Sequence, residues 1–163
     1  HSRFNEVTRA QFEQAGLRIL VESESAGVHL ATSADGFRIV FFQGHPEYDT
    51  VSLLKEYKRE VARYSKGERP DYPPLLDNYF SLKAQAILDE HRERVVAAHA
   101  QGKIVPEFPE PLISAILDNT WHDTAEAVID NWVGKVYQIT NHDRRLPFQQ
   151  GTDPNNPLGL SHP

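Results

Sequence analysis

The chain contains no cysteine and no methionine. The first absence excludes disulfides, thiolate metal sites and a cysteine nucleophile within these residues. The second, together with a start at His1, points to a piece of something longer or to a processed product. No apolar run approaches the roughly 20 residues that a membrane-spanning helix requires. The opening His1-Ser2-Arg3-Phe4-Asn5-Glu6 lacks the apolar core of a secretory leader. Positive charge is scarce too: the formal net charge is -6, and no long basic run occurs. Neither nucleic acid nor an anionic membrane surface is therefore expected as a partner. What remains is 163 residues of ordinary hydrophobic and charged content, enough for a domain with a real core. There is no internal repeat and no low-complexity block.

The most informative stretch runs from Arg38 to Asp49. An apolar, β-branched and aromatic segment, Ile39-Val40-Phe41-Phe42, ends at Gly44. His45 and Glu47 then flank Pro46. Proline fixes its own φ and biases the preceding residue toward an extended conformation. His45 and Glu47 are thereby expected on one side of a stiff segment, as i and i+2 are on a strand. A carboxylate beside an imidazole fixes its tautomer and raises its basicity, which suits a general base near neutral pH. The bland alternative is an ordinary turn, because His-x-Glu alone is a weak motif.

The elements around this stretch are legible from pattern. Asn5 to Ala15 has helical character, with Gly16 as its stop. Strands are predicted over Leu17–Glu22, Val28–Thr32 and Phe37–Phe42, with Ala26-Gly27 and Asp35-Gly36 at the turns. His29 is read as a sheet-face residue. Thr50 to Ser65 is an amphipathic helix with Asp49 as N-cap and a stripe of Val51, Leu54, Lys58 and Val61, flanked by Tyr57 and Tyr64. Glu56 and Arg59 lie three apart on another face. They read either as a solvated ion pair or, for the guanidinium, as a bidentate partner for a substrate carboxylate.

Lys66 to Pro74 breaks the pattern. Phe80 to Ala100 is strongly helical, with Ala84, Ile87, His91, Val95 and Ala98 on one face. His91 and His99 share this helix, but nothing completes a metal-ligand set, so no metal is expected. Leu112 to Leu117 begins another helix. Ala125 to Tyr137 forms a further one, and Thr120/Asp123 and Asp123/Glu126 both have capping-box spacing. Trp121 and Trp132 are read as core residues. Residues 149–163 are read as a flexible tail, rich in Pro, Gly and Asn.

Gly44-His45-Pro46-Glu47-Tyr48-Asp49, followed by Leu53, Glu56 and Arg59, resembles the signature of the homoserine O-succinyltransferase family. His1-Ser2-Arg3-Phe4 is similar to the family's His-Ser-Arg segment. Asn131-Trp132 and Tyr137-Gln138-Ile139-Thr140 are similar to its closing helix. The resemblance covers His1 to about Ser65 and Asn119 to about Arg145. Residues 75–118 read as a helical insertion, which would cap the site or mediate a subunit contact.

The resemblance implies an α/β fold, the C-terminal portion of a flavodoxin-like, class I glutamine amidotransferase-like sheet. It implies transfer of an acyl group, succinyl favoured, from acyl-CoA to the hydroxyl of L-homoserine through a cysteine thioester, in methionine biosynthesis. His45 would be the base and Glu47 its orienter. Arg59 would pair with the homoserine carboxylate, Ser2 would line the same pocket, and Glu56 would hold the amino group or Arg59. No cofactor is implied beyond acyl-CoA as co-substrate. The partners implied are the small-molecule substrates, an N-terminal half bearing the cysteine, and a second copy in a homodimer; the location is cytoplasmic. Without that cysteine the chain alone is expected to be inactive. An acetyl-CoA donor, a serine acceptor, a non-catalytic interaction module and a glutamine amidotransferase or peptidase relative are the rival readings.

Overall fold

The computed structural model describes residues 5–160. Two compact units emerge, one within His1–Glu47 and Trp121–Pro163, the other over Tyr48–Thr120.

In the first unit, helix α1 (Arg9–Gln14) opens on a capping box, with Thr8 and Gln11 satisfying each other's backbone N–H groups. The helix ends at Ala15, and Gly16 follows at φ +69°, the left-handed conformation glycine adopts without strain. Strands β1 (Arg18–Ser23), β2 (Gly27–Thr32) and β3 (Val40–Phe42) form an antiparallel sheet in sequence order. Phe12, Val28 and Ala31 make its core, with Leu17, Ile19 and Phe41 packed against them. The β1–β2 register shifts between Ile19 and Glu22, and Leu20 and Val21 remain about half exposed (53% and 48%).

β3 is shorter than the apolar run predicts, because Asp35 takes over the backbone ahead of it. One Asp35 oxygen accepts from the Ser33 hydroxyl (2.7 Å) and from the N–H groups of Phe37 (3.0 Å) and Arg38 (3.1 Å). The other lies 3.0 Å from the Arg38 guanidinium. An aspartate that bonds the backbone two residues on builds a turn rather than a ladder. Helix α5 (His122–Ile139) is docked onto this turn by the indole of Trp132, which donates to the Phe37 carbonyl (3.1 Å). The N-terminus of α5 lacks the side-chain cap predicted for it. Glu126 instead lies 3.7 Å from His122, on the same helix face.

In the second unit, helix α2 (Ser52–Ser65) buries Leu54, Tyr57, Val61 and Tyr64. Lys58, which spacing assigns to this stripe, is exposed and pairs with Glu110. Helix α3 (Leu82–Ala100) presents Ala84, Leu88, His91 and Val95 to the core, and helix α4 (Glu110–Ser114) adds Ile113. Leu54, Tyr57, Val61, Phe80, Ala84, Leu88 and Ile113 form one cluster. α3 starts at the Ser81 cap and α4 begins at Glu110, ahead of the expected Leu112. Asp49 is not the N-cap of α2, because the helix begins at Ser52. Its carboxylate accepts from the Val51 N–H (3.0 Å) and the Ser52 hydroxyl (2.7 Å) in the preceding turn. The first turn of α2 is held by Tyr79, whose phenol accepts from the Leu54 N–H (3.1 Å) and donates to the Thr50 carbonyl (2.6 Å).

His91 is buried with its ring edge-on to Phe108 (5.4 Å between centroids). Burial pushes its pKa below the ordinary value. The nearby Arg94 charge acts in the same direction, and the Pro106 and Glu107 carbonyls oppose it. The unfolded chain therefore binds the proton more readily than the folded one. The stability present above pH about 6.5 is expected to decline as the pH falls below that value. Thermal melts of the chain between pH 8 and pH 5 test this, and His91→Leu should flatten the dependence.

Candidate functional site

The site begins where β3 ends, and Gln43 fixes that end. Its side-chain amide donates to the carbonyls of Val7 (2.9 Å) and Val28 (2.8 Å) and accepts from the Val7 N–H (2.8 Å). Its backbone N–H continues the ladder to His29 (2.9 Å). Gly44 comes next, buried, and the chain then emerges at His45. Sequence reasoning misses Gln43. Its only signal is a long polar side chain between a strand and a glycine.

His45 and Glu47 meet as the i, i+2 geometry predicts. Nδ1 of His45 lies 2.7 Å from Oε1 of Glu47. The pair is well solvated, with side chains 48% and 67% exposed. The hydrogen bond from His45 holds the Glu47 carboxyl below its ordinary pKa, helped by Glu47's own backbone N–H and opposed by slight burial. A carboxylate in its ionised form accepts, so Nδ1 carries the shared proton and Nε2 is the basic nitrogen. This is the arrangement of a general base and its orienting group.

The second unit carries the other candidates on α2. The phenol of Tyr48 donates to Oε1 of Glu56 (2.8 Å). Oε2 of Glu56 is covered and has no donor among the described residues. Arg59 does not form the ion pair with Glu56 that three-residue spacing allows. Its Nε lies 3.7 Å from Glu60, and the side chain is 62% exposed. Glu60 also receives Arg63 (3.3 Å) and Arg69 (3.1 Å), so three guanidinium groups gather around it. Tyr48 meanwhile occupies the Glu56 oxygen. Ser2 lies outside the described residues. No group of three or more His, Cys, Asp or Glu side chains able to hold a metal occurs among those described. No helix among them is long and apolar enough to cross a membrane.

A family model described as homoserine O-succinyltransferase matches residues 1–142. The chain belongs to the homoserine O-succinyltransferase family. A homoserine O-succinyltransferase of Allochromatium vinosum is 68% identical over 160 residues, covering 98% of this chain and 45% of that protein. One of Nitrosococcus oceani is 60% identical over 163 residues, covering 100% of this chain and 46% of that protein. One of Cardiobacterium hominis is 44% identical over 159 residues, covering 98% of this chain and 43% of that protein. The chain thus spans a little under half the length of the curated relatives it matches. These matches span residues 75–118 as well as the rest of the chain. No solved structure matches.

The dyad makes a spectroscopic prediction. In a carboxyl-detected NMR titration, Glu47 should titrate below the ordinary glutamate value of about 4.3, and His45→Ala should return it there. An unchanged Glu47 titration in the variant would show that the hydrogen bond is not the cause of the shift.

Proposed function

We propose that this chain supplies the base and the acceptor-binding side of a homoserine O-acyltransferase. The observation that carries the reading is the 2.7 Å bond between His45 and Glu47, in a family whose matched relatives are named homoserine O-succinyltransferases. Those names favour succinyl-CoA over acetyl-CoA as donor and homoserine over serine as acceptor.

In this reading the nucleophile is a cysteine thiol on an N-terminal half of the enzyme. His45 takes the thiol proton as sulfur attacks the thioester of succinyl-CoA. The acyl–sulfur bond to coenzyme A breaks, and the leaving thiolate recovers the proton from His45. The homoserine hydroxyl then gives its proton to His45 and its oxygen attacks the enzyme thioester. The ester forms, and the cysteine sulfur leaves and is reprotonated. Glu47 stabilises the imidazolium at each stage, as the third member of any nucleophile–base–orienter triad does. Arg59, mostly solvated, takes the acceptor's carboxylate in a bidentate pair. Glu56 takes its ammonium, and Ser2 influences the choice of acceptor.

Exposed apolar surface supports a further polypeptide half. α5 carries a half-buried stripe of Ala125, Val128, Trp132, Val136 and Ile139. A second stripe, Ile129, Val133 and Tyr137, stays exposed, and so do Leu20 and Val21 on β1. A helix with two apolar faces belongs between two layers. The three antiparallel strands are on this view one edge of a flavodoxin-like sheet that the N-terminal half completes, with a homodimer in the cytoplasm as the working form. The chain alone is then inactive, and its place is methionine biosynthesis.

Two substitutions in a full-length acyltransferase carrying this segment test the reading. His45→Ala should lower kcat/KM by about 10²–10⁴-fold, the range for loss of a general base. Undiminished acyl transfer would sink the catalytic reading. Arg59→Ala should raise KM for homoserine by about 10- to 100-fold, as loss of a charge-assisted bond worth about 1.5–3 kcal/mol requires. An unaltered KM would remove Arg59 from the acceptor site.

A further inference from the structure

Gln43 has no part in the proton transfers above, yet its amide joins two separate stretches of the first unit. Nε2 donates to the Val7 carbonyl (2.9 Å), and Oε1 accepts from the Val7 N–H (2.8 Å). This is the reciprocal pair that two antiparallel strands exchange, made here by a side chain. The remaining Nε2 hydrogen goes to the Val28 carbonyl on β2 (2.8 Å). Both amide donors are thereby used.

Val7 belongs to the short arm ahead of α1. The helix itself begins behind the Thr8 cap, whose N–H is accepted by the Gln11 side chain (2.8 Å). Val7 is 45% exposed, so burial of its own side chain contributes little to holding the arm. Its two backbone bonds to Gln43 hold it instead. The arm and the base thus hang from one amide. Val7 lies five residues beyond Ser2 in the chain, and Gln43 lies two residues before His45. The Gln43–Val7 pair therefore replaces a long connection between Ser2 and His45 with a short one, and a shorter connection leaves fewer relative positions to lose.

We propose that Gln43 is a positioning residue for the acceptor step, setting the arm that carries Ser2 against the base at His45. This inference rests on the proposed function, in which Ser2 influences the choice of acceptor and His45 takes the proton of the acceptor hydroxyl. Gln43 touches no reacting atom. Its bond to Val28 steadies the end of β3, and its bonds to Val7 align the arm. The two half-reactions use these bonds differently. Formation of the acyl-enzyme needs the base, whereas transfer to homoserine needs the base and an aligned acceptor. The Val7 bonds contribute preorganisation to the second half-reaction alone.

The test uses a full-length acyltransferase carrying this segment, with Val7→Pro, Val7→Ala, Gln43→Leu and the double variant Val7→Pro/Gln43→Leu. Val7→Pro removes the N–H that Gln43 accepts and leaves the Gln43–Val28 bond in place. Val7→Ala keeps that N–H. Acyl-enzyme formation is followed as coenzyme A released from succinyl-CoA without acceptor, and transfer as the decay of the pre-formed acyl-enzyme against homoserine concentration. Val7→Pro should raise the homoserine concentration for half-maximal transfer about tenfold, with acyl-enzyme formation within about twofold of wild type. Val7→Ala should leave both half-reactions within about twofold of wild type. Gln43→Leu should slow both half-reactions and raise the homoserine requirement, and the double variant should need no more homoserine than Gln43→Leu, because both changes break one joint. An unmoved homoserine requirement in Val7→Pro, an equal loss in both of its half-reactions, or a Val7→Ala variant as impaired as Val7→Pro would overturn the inference. Absence of an acyl-enzyme or of homoserine acylation in the wild-type protein would overturn the proposed function and this inference with it. Normal wild-type half-reactions with an unmoved Val7→Pro overturn this inference alone.

Discussion

The clamp at Gln43 is the constraint on which the motif depends. A strand end has unpaired backbone groups, and buried backbone groups must be matched. The Gln43 amide matches three of them, on Val7 and Val28, with one side chain. The chain therefore leaves the sheet at a fixed point, through buried Gly44, and Pro46 stiffens the segment beyond it. His45 and Glu47 meet because their backbone has little choice. A solvated dyad with side chains about half and two-thirds exposed would otherwise have little reason to persist, since exposed ion pairs are worth about 0–1 kcal/mol.

Parts of this are legible in the sequence for identifiable reasons. Pro46 between a histidine and a glutamate is a local constraint, and its outcome needs no tertiary information. The three strands and the long helices come from periodicity and from turn residues, with shifts of a few residues at their ends. The differences arise where a side chain at a distance competes with a local rule. Asp35 captures amides that the apolar run over Phe37–Ile39 would give to a strand. Lys58 sits on an apolar stripe by spacing, but a carboxylate on α4 draws it out. Spacing favours Ile87 over Leu88, yet Leu88 lies in the buried cluster and Ile87 only flanks it. The Glu56–Arg59 pair is allowed by spacing, and two competitors, Tyr48 and Glu60, remove it. The contact from Tyr48 to Glu56 has no periodic signature at all, because it joins a turn to a helix eight residues on.

The fold class divides in the same way. Alternation of strands and helices signals a mixed α/β chain, and the structure has three antiparallel strands and five helices among its described residues. The layer architecture is a longer-range property. Ile129, Val133 and Tyr137 on α5 and Leu20 and Val21 on β1 are exposed.

The helical segment 75–118 has a different standing once its packing is known. Phe80, Ala84, Leu88 and Ile113 are the surface on which Leu54, Tyr57 and Val61 of α2 rest, and Tyr79 holds the first turn of that helix. Trimming this segment to make a smaller protein would strip α2 of its support and present two aliphatic side chains and a tyrosine ring to water. The trimmed chain would be expected to self-associate before it lost any residue of the His45/Glu47 motif. The segment is a foundation for the helix it carries.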